Sequence, residues 1–267
     1  MIEYIIFFSL LIIITFIFII NREGLFLIVL SNVIIFSIEL IYPQSIYLLA
    51  YNTSNPLSIN LLTGIFAHYN YMHILFNMVV LLFIGFPLEV RIGTRRFLII
   101  YLFTGILSEI IFSLIYIGSE TFLIGASGAI FGVMGALLRL YPDDEIPMFL
   151  GFIFLPRIKV KYAVLFAAII EFLAIFLSYE NDIAHIVHVS ALVIGILIAP
   201  FISGMHGLSS LQAIASDEES RKLLREIMKE RIPEMKKILL EEFLKKKCKK
   251  YEINKNYVLC DGKKYRL

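Results

Sequence analysis

Tryptophan is absent from this chain of 267 residues, and cysteine occurs only twice. Tyrosine, with 14 residues, is therefore left to supply most of any aromatic belt at a membrane surface. Cys248 and Cys260 both lie near the C-terminus, and their spacing fits neither a disulfide framework nor a zinc motif. We expect two reduced thiols in this segment, and no metal site or cofactor.

Basic residues are missing from long parts of the chain. Segments 43–70, 118–123 and 180–182 contain no Lys or Arg, and the formal net charge is only +2, which argues against nucleic-acid binding. Hydrophobic residues make up 59% of the sequence, against about half in soluble proteins. The apolar excess lies in residues 1–205, so we expect one large membrane domain followed by a small polar tail.

Seven stretches approach the ~20 apolar residues that a membrane helix needs. Lys and Arg fall in or beside residues 21–24, 89–96 and 141–161 and in the tail from residue 204. The positive-inside rule then places the N-terminus outside and the tail in the cytoplasm of a cell membrane protein. The predicted spans are residues 4–20, 25–42, 71–88, 97–117, 124–140, 162–179 and 183–203.

These patterns predict an all-α, polytopic membrane protein with three parts. Residues 1–24 form an extra N-terminal transmembrane helix and turn, and residues 25–205 form a six-helix core. Residues 206–267 form a Lys-rich, helical cytoplasmic tail, with a possible terminal hairpin that turns at Asp261 and Gly262. The basic cluster from Lys245 to Lys250 is either a solvated helix face or a contact with anionic lipid of the bilayer.

Polar side chains within predicted spans are costly and are functional hypotheses by default. His68, His73 and Asn77 lie close together at the start of the third span. His73 and Asn77 are four residues apart and share one helix face. The alternative role is hydrogen bonding between helices, which polar groups often provide in membranes.

The fifth span begins with Gly125, Ala126, Ser127 and Gly128. From Ser127 to Arg139 it offers only ~21 Å of helix, which is shorter than the ~30 Å apolar core of a bilayer. Ser127 would then lie at a helix N-terminus below the membrane surface, where free N–H groups form the ingredients of an oxyanion hole. Gly128 also belongs to a stripe of small residues that favours close helix packing. We expect both roles.

The last span carries His185 and His188, followed by Ala191 and Gly195. The small residues give a smooth face, and packing of this face on the serine helix would bring His188 level with Ser127. One histidine is expected to be a base, and the other is then an interfacial bystander. A neutral imidazole can take the serine proton.

No carboxylate is well placed in the sequence as a third catalytic group. We therefore predict a serine–histidine dyad, with the base oriented by packing. Two acidic residues within predicted spans, Glu109 and Glu171, have no explanation at this stage.

Three ordered motifs resemble the rhomboid family of intramembrane serine proteases. They are HYNYMHILFNM, GASGAIFG and AHIVHVSALVIG, and the fragment LEVRIGTRRF is also similar. The resemblance covers about residues 25–203. It implies a six-helix core, with one extra helix at the N-terminus in this chain.

The resemblance also implies roles for individual residues. Ser127 corresponds to the nucleophile, and His188 rather than His185 corresponds to the base. His73 and Asn77 correspond to residues that stabilise the oxyanion, and His68 to a histidine near the site. Gly125 and Gly128 flank the nucleophile in the matching G-x-S-G motif.

Three departures from the family pattern concern supporting residues. Ile59 and Asn60 replace a common Trp-Arg pair in the first external loop. Ala191 replaces a glycine after the base, and Phe131 replaces a tyrosine. The phenyl ring can still pack on the base, but it cannot offer a hydroxyl group.

The predicted function is intramembrane endopeptidase activity on transmembrane segments of other proteins, near the outer face, through an acyl-enzyme. The alternative is a non-catalytic rhomboid-like binder or chaperone, although such relatives typically lack the serine or the histidine. A transporter would need an inverted repeat and a polar path across the membrane. In this sequence the ionisable groups within the spans stop at the outer half, with Glu109 and Glu171 as the exceptions.

Overall fold

A computed structural model describes residues 23–118, 120–150, 153–177, 183–202, 211, 214–229, 233–254 and 257–266. Residue contacts divide the chain into two units, Met1–Ala199 and Pro200–Leu267. The predicted extra helix at residues 4–20 lies outside the described residues.

Apolar helices form most of the chain before residue 203, as expected of a polytopic membrane protein. The helices Gly24–Ile41, Tyr71–Ile92 and Thr94–Ile115 and the stretch His185–Ile202 are long and apolar enough to cross a membrane, and Ser127–Leu140 is a shorter apolar helix. The number of crossings stays a prediction. The helices are α1 (Gly24–Ile41), α2 (Ser45–Leu49), α3 (Asn60–Thr63), α4 (Tyr71–Ile92), α5 (Thr94–Ile115), α6 (Ser127–Leu140), α7 (Val160–Leu177) and α8 (Ile183–Ile202).

A buried carboxylate joins three of these helices at one end of the first unit. Glu89, in the last turn of α4, accepts hydrogen bonds from the backbone N–H groups of Gly24 (2.7 Å) and Leu25 (2.9 Å). It also accepts one from the Thr94 hydroxyl group at 2.6 Å. The first N–H groups of a helix lack partners within the helix, so Glu89 caps α1 while it binds α5.

Glycines allow α6 to approach its neighbours closely. A Cβ atom added at Gly132 would overlap the Thr104 side chain of α5, and one added at Gly195 would overlap the carbonyl oxygen of Gly132. A Cβ atom at Gly135 would overlap the carbonyl oxygen of Leu192. The predicted packing of the serine helix on the last helix is confirmed. This packing fixes how far the N-terminal turns of α6 and α8 lie from each other.

Short strands make the all-α prediction only partly correct. The strands β1 (Tyr51–Asn52) and β2 (Phe122–Leu123) pair, as do β3 (Glu145–Leu150) and β4 (Ile153–Lys159). The sequence pattern predicts no strand in either region. Residues 145–159 lack a clear alternation and contain two prolines, which usually argue against a strand. A two-stranded ribbon has two free edges, where proline is tolerated, and the register shifts around Pro147.

In the described part of the second unit, two helices accompany a three-stranded antiparallel sheet. The helices are α9 (Glu218–Lys229) and α10 (Pro233–Lys247), and the strands are β5 (Tyr251–Asn254), β6 (Tyr257–Cys260) and β7 (Lys263–Arg266). Strands β6 and β7 are joined by a turn at Asp261 and Gly262, which both have positive φ.

The two cysteines form a disulfide, so the expectation of two reduced thiols is wrong in this structure. Cys248 directly follows α10, and Cys260 ends β6. The sheet brings their Cα atoms to 5.3 Å, within the range that a disulfide spans. Both residues lie in a buried apolar cluster with Leu224, Phe243 and Val258.

Candidate active site

Ser127 is the first residue of α6, and its hydroxyl group meets an imidazole from α8. The Oγ atom lies 2.7 Å from Nε2 of His188, which is a hydrogen-bonding distance. Both residues were predicted at this site, and the structure brings them together.

Two further side chains contact the ring of His188. Phe131, one turn after Ser127, stacks on it with ring centroids 4.5 Å apart and an angle of 8° between the planes. The prediction that this phenyl ring packs on the base is confirmed. The stack limits rotation of the imidazole, which keeps Nε2 directed at the serine.

The second of these side chains is Glu171 of α7, which lies beside Nδ1 of His188. Its Oε2 atom is 3.0 Å from Nδ1 of His188 and 2.6 Å from Nδ1 of His185. The expectation that no carboxylate is well placed beside the histidine is therefore wrong. Glu171 is the unexplained acid of a predicted span, and its local sequence does not identify His188 as its partner because the contact depends on how α7 lies against α8.

Two side chains of α4 lie beside the backbone that precedes Ser127. A Cβ atom added at Gly125 would be 2.6 Å from Nε2 of His73 and 3.6 Å from Nδ2 of Asn77. Gly125 has φ of 114°, a conformation that glycine adopts readily and other residues rarely do. The missing side chain leaves room for both polar groups two residues before Ser127.

His68 lies next to His73 and is hydrogen bonded to Asn77. Nδ2 of Asn77 donates to Nε2 of His68 at 2.9 Å, while Nδ1 of His68 donates to the carbonyl oxygen of Phe66 at 3.2 Å. Burial, and secondarily the neighbouring His73, lowers the pKa of His68 to about 4. The ring is therefore neutral near pH 7, and this agrees with its role as the acceptor for Asn77.

The segment before Ser127 is hydrogen bonded to a loop from the first half of the chain. Tyr51 and Asn52 of β1 pair with β2, and the backbone N–H group of Gly125 donates to the carbonyl oxygen of Gly64 at 2.9 Å. These bonds hold the approach to Ser127 in an extended conformation. The helix can then begin at the serine.

A small pocket of about 40 Å³ adjoins the serine and histidine. It exceeds the ~10–15 Å³ that one water molecule occupies. Gly125 and Gly128 line it, together with the buried acid Glu109 of α5. The predicted glycines thus lie at the site, and Glu109 joins them as a residue that sequence reasoning did not place.

The atoms of Glu171, His185 and His188 that could bind a metal ion all lie within 4.8 Å of one another. Such a trio has the residue types of a zinc site. However, ligands of a tetrahedral zinc ion at ~2.0–2.1 Å are themselves separated by more than 3 Å. The 2.6 and 3.0 Å distances between nitrogen and oxygen correspond to hydrogen bonds instead.

The helices and the site define a mostly helical, multi-pass membrane protein in which a serine contacts a histidine of another helix. The family model described as the Rhomboid domain matches residues 57–205. The chain therefore belongs to the rhomboid family.

Curated relatives point the same way over shorter segments. The chain is 30% identical over 133 residues to the rhomboid protease GlpG of Pectobacterium atrosepticum, covering 49% of this chain and 44% of the relative. It is 44% identical over 78 residues to the rhomboid protease GluP of Bacillus subtilis, covering 29% and 15%. RHOMBOID-like protein 5 of Arabidopsis thaliana is 35% identical over 78 residues, covering 29% and 25%. The matched part is thus less than half of each relative.

Proposed function

We propose that this protein is an intramembrane serine endopeptidase that cleaves transmembrane segments of other membrane proteins. The observation that carries the proposal is the 2.7 Å contact between Oγ of Ser127 and Nε2 of His188. A hydroxyl group needs an adjacent base to become a nucleophile, and this contact supplies one. The protease names of two relatives in the same family add support.

The reaction begins when Ser127 attacks the carbonyl carbon of the scissile peptide bond. Its proton passes to Nε2 of His188, and the carbonyl oxygen becomes an oxyanion. His73 and Asn77, beside Gly125, are suited to donate side-chain N–H groups to that oxyanion, and the backbone N–H of Ser127 adds a third donor.

The tetrahedral intermediate then collapses in the usual way for acyl transfer. The C–N bond breaks, and His188 gives its proton to the leaving amine. A water molecule, activated by the same imidazole, attacks the acyl-enzyme and releases the new carboxyl group and Ser127. The pocket beside the two residues has room for that water.

The substrate proposal follows from the position of the site at the start of a short apolar helix. Helix α6 has 14 residues, or ~21 Å, so Ser127 lies below the membrane surface if the other end of α6 is at the opposite face. A peptide bond at that depth belongs to a membrane-spanning segment. It must leave its helix before it can be attacked.

Cleavage of a reconstituted single-span substrate tests this function. Wild type should cleave it, and Ser127→Ala should not, while the two proteins show the same melting temperature. A fluorophosphonate should label Ser127 in wild type, and the label should be lost in His188→Ala. A Ser127→Ala protein that still cleaves would exclude the assignment, and a stable wild type that neither cleaves nor labels would favour the non-catalytic binder.

We further propose that the N-terminus is outside the cell membrane and the tail is cytoplasmic, as the distribution of Lys and Arg predicts. Digestion of the Lys-rich tail by trypsin tests this orientation. Trypsin should remove it in inverted vesicles and leave it intact in whole cells. Removal in whole cells would reverse the orientation.

Binding of anionic lipid by residues 245–250 is proposed for only part of that cluster. Lys246 pairs with Glu219 at 3.1 Å, and Lys247 pairs with Asp217. The side chains of Lys245, Lys249 and Lys250 are exposed. Replacement of these three lysines by Gln should weaken co-sedimentation of the full-length protein, freed of detergent, with anionic vesicles. Co-sedimentation with zwitterionic vesicles should not change. Unchanged binding would exclude the contact.

A further inference from the structure

The catalytic histidine of the proposed function has a second hydrogen-bonding partner that the sequence did not reveal. Oε2 of Glu171 lies 3.0 Å from Nδ1 of His188, whose Nε2 lies 2.7 Å from Ser127. We propose that Glu171 is a positioning residue that completes a Ser127–His188–Glu171 triad, held in place by His185. This inference rests on the proposed function and deepens it.

The arrangement fixes which nitrogen of His188 carries the proton. If the Ser127 hydroxyl group is to donate its proton to Nε2, that nitrogen must be unprotonated, so the single ring proton is on Nδ1. A buried N–H group needs an acceptor, and the Glu171 carboxylate provides one. The wrong tautomer would place a proton at Nε2 and block transfer from the serine.

The charge of Glu171 also matters when the reaction proceeds. When His188 takes the serine proton, an imidazolium forms in a largely apolar environment. A carboxylate in contact with it stabilises that cation, because opposite charges interact more strongly where water is scarce. The side chains of Glu171 and His188 are each only 13% exposed.

His185 explains how the carboxylate is kept in this position. Its Nδ1 atom lies 2.6 Å from the same Oε2 atom, so Glu171 is held between two rings of α8, one turn apart. A carboxylate in a membrane-spanning helix is costly unless it is paired, and these two contacts provide the pairing. His185 is therefore a support for Glu171 rather than a bystander.

Among the described residues, the titratable groups near His188 come from four helices. They are Glu171 on α7, His185 on α8 itself, His73 on α4, which interacts electrostatically with His188, and Glu109 on α5, which lines the same pocket. Of the two acids, Glu171 is the one that contacts the imidazole of His188. Its removal should therefore be visible in the pH dependence of cleavage as well as in the rate.

The test compares Glu171→Gln, Glu171→Asp and His185→Gln with wild type in cleavage of a reconstituted substrate. Glu171→Gln should lower kcat by roughly 10²–10⁴-fold and change KM by less than about threefold, because only the base is affected. The acidic limb of its kcat/KM profile should move to lower pH, since the imidazolium loses its anionic partner. Glu171→Asp should recover part of kcat, and His185→Gln should lower kcat less.

Glu120→Gln is the matched control, because Glu120 is an exposed acid that bonds only Asn52 among the described residues and lies outside the site. It should retain wild-type kcat and pH profile. Melting temperatures of all variants separate loss of folding from loss of positioning. Fluorophosphonate labelling rates provide a second measure of how well His188 activates Ser127.

Two results would overturn the inference. Wild-type kcat and an unmoved acidic limb in Glu171→Gln, with Ser127→Ala inactive, would leave the dyad without a third member. Inhibition by Zn²⁺ that disappears in both Glu171→Gln and His185→Gln, with full kcat in those variants, would assign the trio to metal binding. Activity in Ser127→Ala would instead refute the proposed function itself.

Discussion

His188 uses both nitrogens and one face of its ring in separate contacts. Nε2 meets Ser127, Nδ1 meets Glu171, and the face lies on Phe131. A residue held at three points loses rotational freedom before the substrate arrives. Less reorganisation is then needed during proton transfer.

The ring of Phe131 should matter more than the hydroxyl group that a tyrosine would add. Phe131→Leu removes the stack on His188 and should lower kcat by roughly two- to tenfold, since aromatic pairs contribute about 0.5–1.5 kcal/mol. Phe131→Tyr keeps the ring and should stay close to wild type. Steady-state cleavage of a reconstituted substrate measures both, and equal rates in the two variants would show that the stack is dispensable.

His68 predicts a loss of stability in acid. Burial lowers its pKa to about 4, whereas an unfolded histidine binds its proton near pH 6.5. Between these values the unfolded chain binds more protons, so stability falls as the pH decreases from about 6.5 to 4, by on the order of 3 kcal/mol.

Melting temperatures of the detergent-solubilised protein across this pH range measure the effect. His68→Gln keeps an oxygen acceptor for Asn77 but does not titrate, so its melting temperature should change less with pH. An identical pH dependence in the variant would show that other groups are responsible.

At the scale of whole elements, the contact between α6 and α8 is made by backbone rather than by large side chains. Gly195→Ala would place a methyl group against the carbonyl oxygen of Gly132, which cannot move without moving α6. We expect a loss of at least about 2 kcal/mol in unfolding free energy and a lower kcat, because Ser127 and His188 would separate. Denaturation in detergent and cleavage assays measure the two effects.

Val193→Ala is the control on the same helix, because Val193 is 47% exposed and a shorter side chain there creates no cavity in the core. It should be close to wild type in both assays. A Gly195→Ala protein that behaves like this control would mean that the helices are further apart than described.

The sequence was informative where the deciding interactions are short-range or repeat along one face. The predicted fifth span, residues 124–140, contains α6, which begins at Ser127. The choice of packing face followed from the spacing of Ala191 and Gly195. The sequence did not predict contacts between residues that are distant in the chain, because no local pattern identifies the partner. Nothing near Glu171 identifies His188 as its neighbour, and nothing near Cys248 identifies Cys260, which only the sheet brings close.

At the scale of the whole molecule, the second unit is small and contains a disulfide. The bond between Cys248 and Cys260 closes a loop with a sequence separation of 12, and cross-links of about this size contribute roughly 3 kcal/mol. The double variant with Ser at both positions should therefore make the tail more sensitive to protease in the full-length protein. Cleavage of the substrate should be unaffected.

Limited proteolysis of the full chain, with and without reductant, measures this. Reductant should sensitise wild type to the level of the double variant and have no effect on the variant. Equal resistance in all four samples would show that the apolar cluster around Phe243 stabilises the tail without the bond.

The ribbon of β1 and β2, extended by the bond from Gly125 to Gly64, links two parts of the chain that are 61 to 72 residues apart. The backbone that leads to Ser127 therefore depends on two sequence segments, and an insertion near Tyr51 would alter the support for the start of α6. Under the proposed function, variation in that distant loop would alter cleavage preference while Ser127 and His188 stay unchanged.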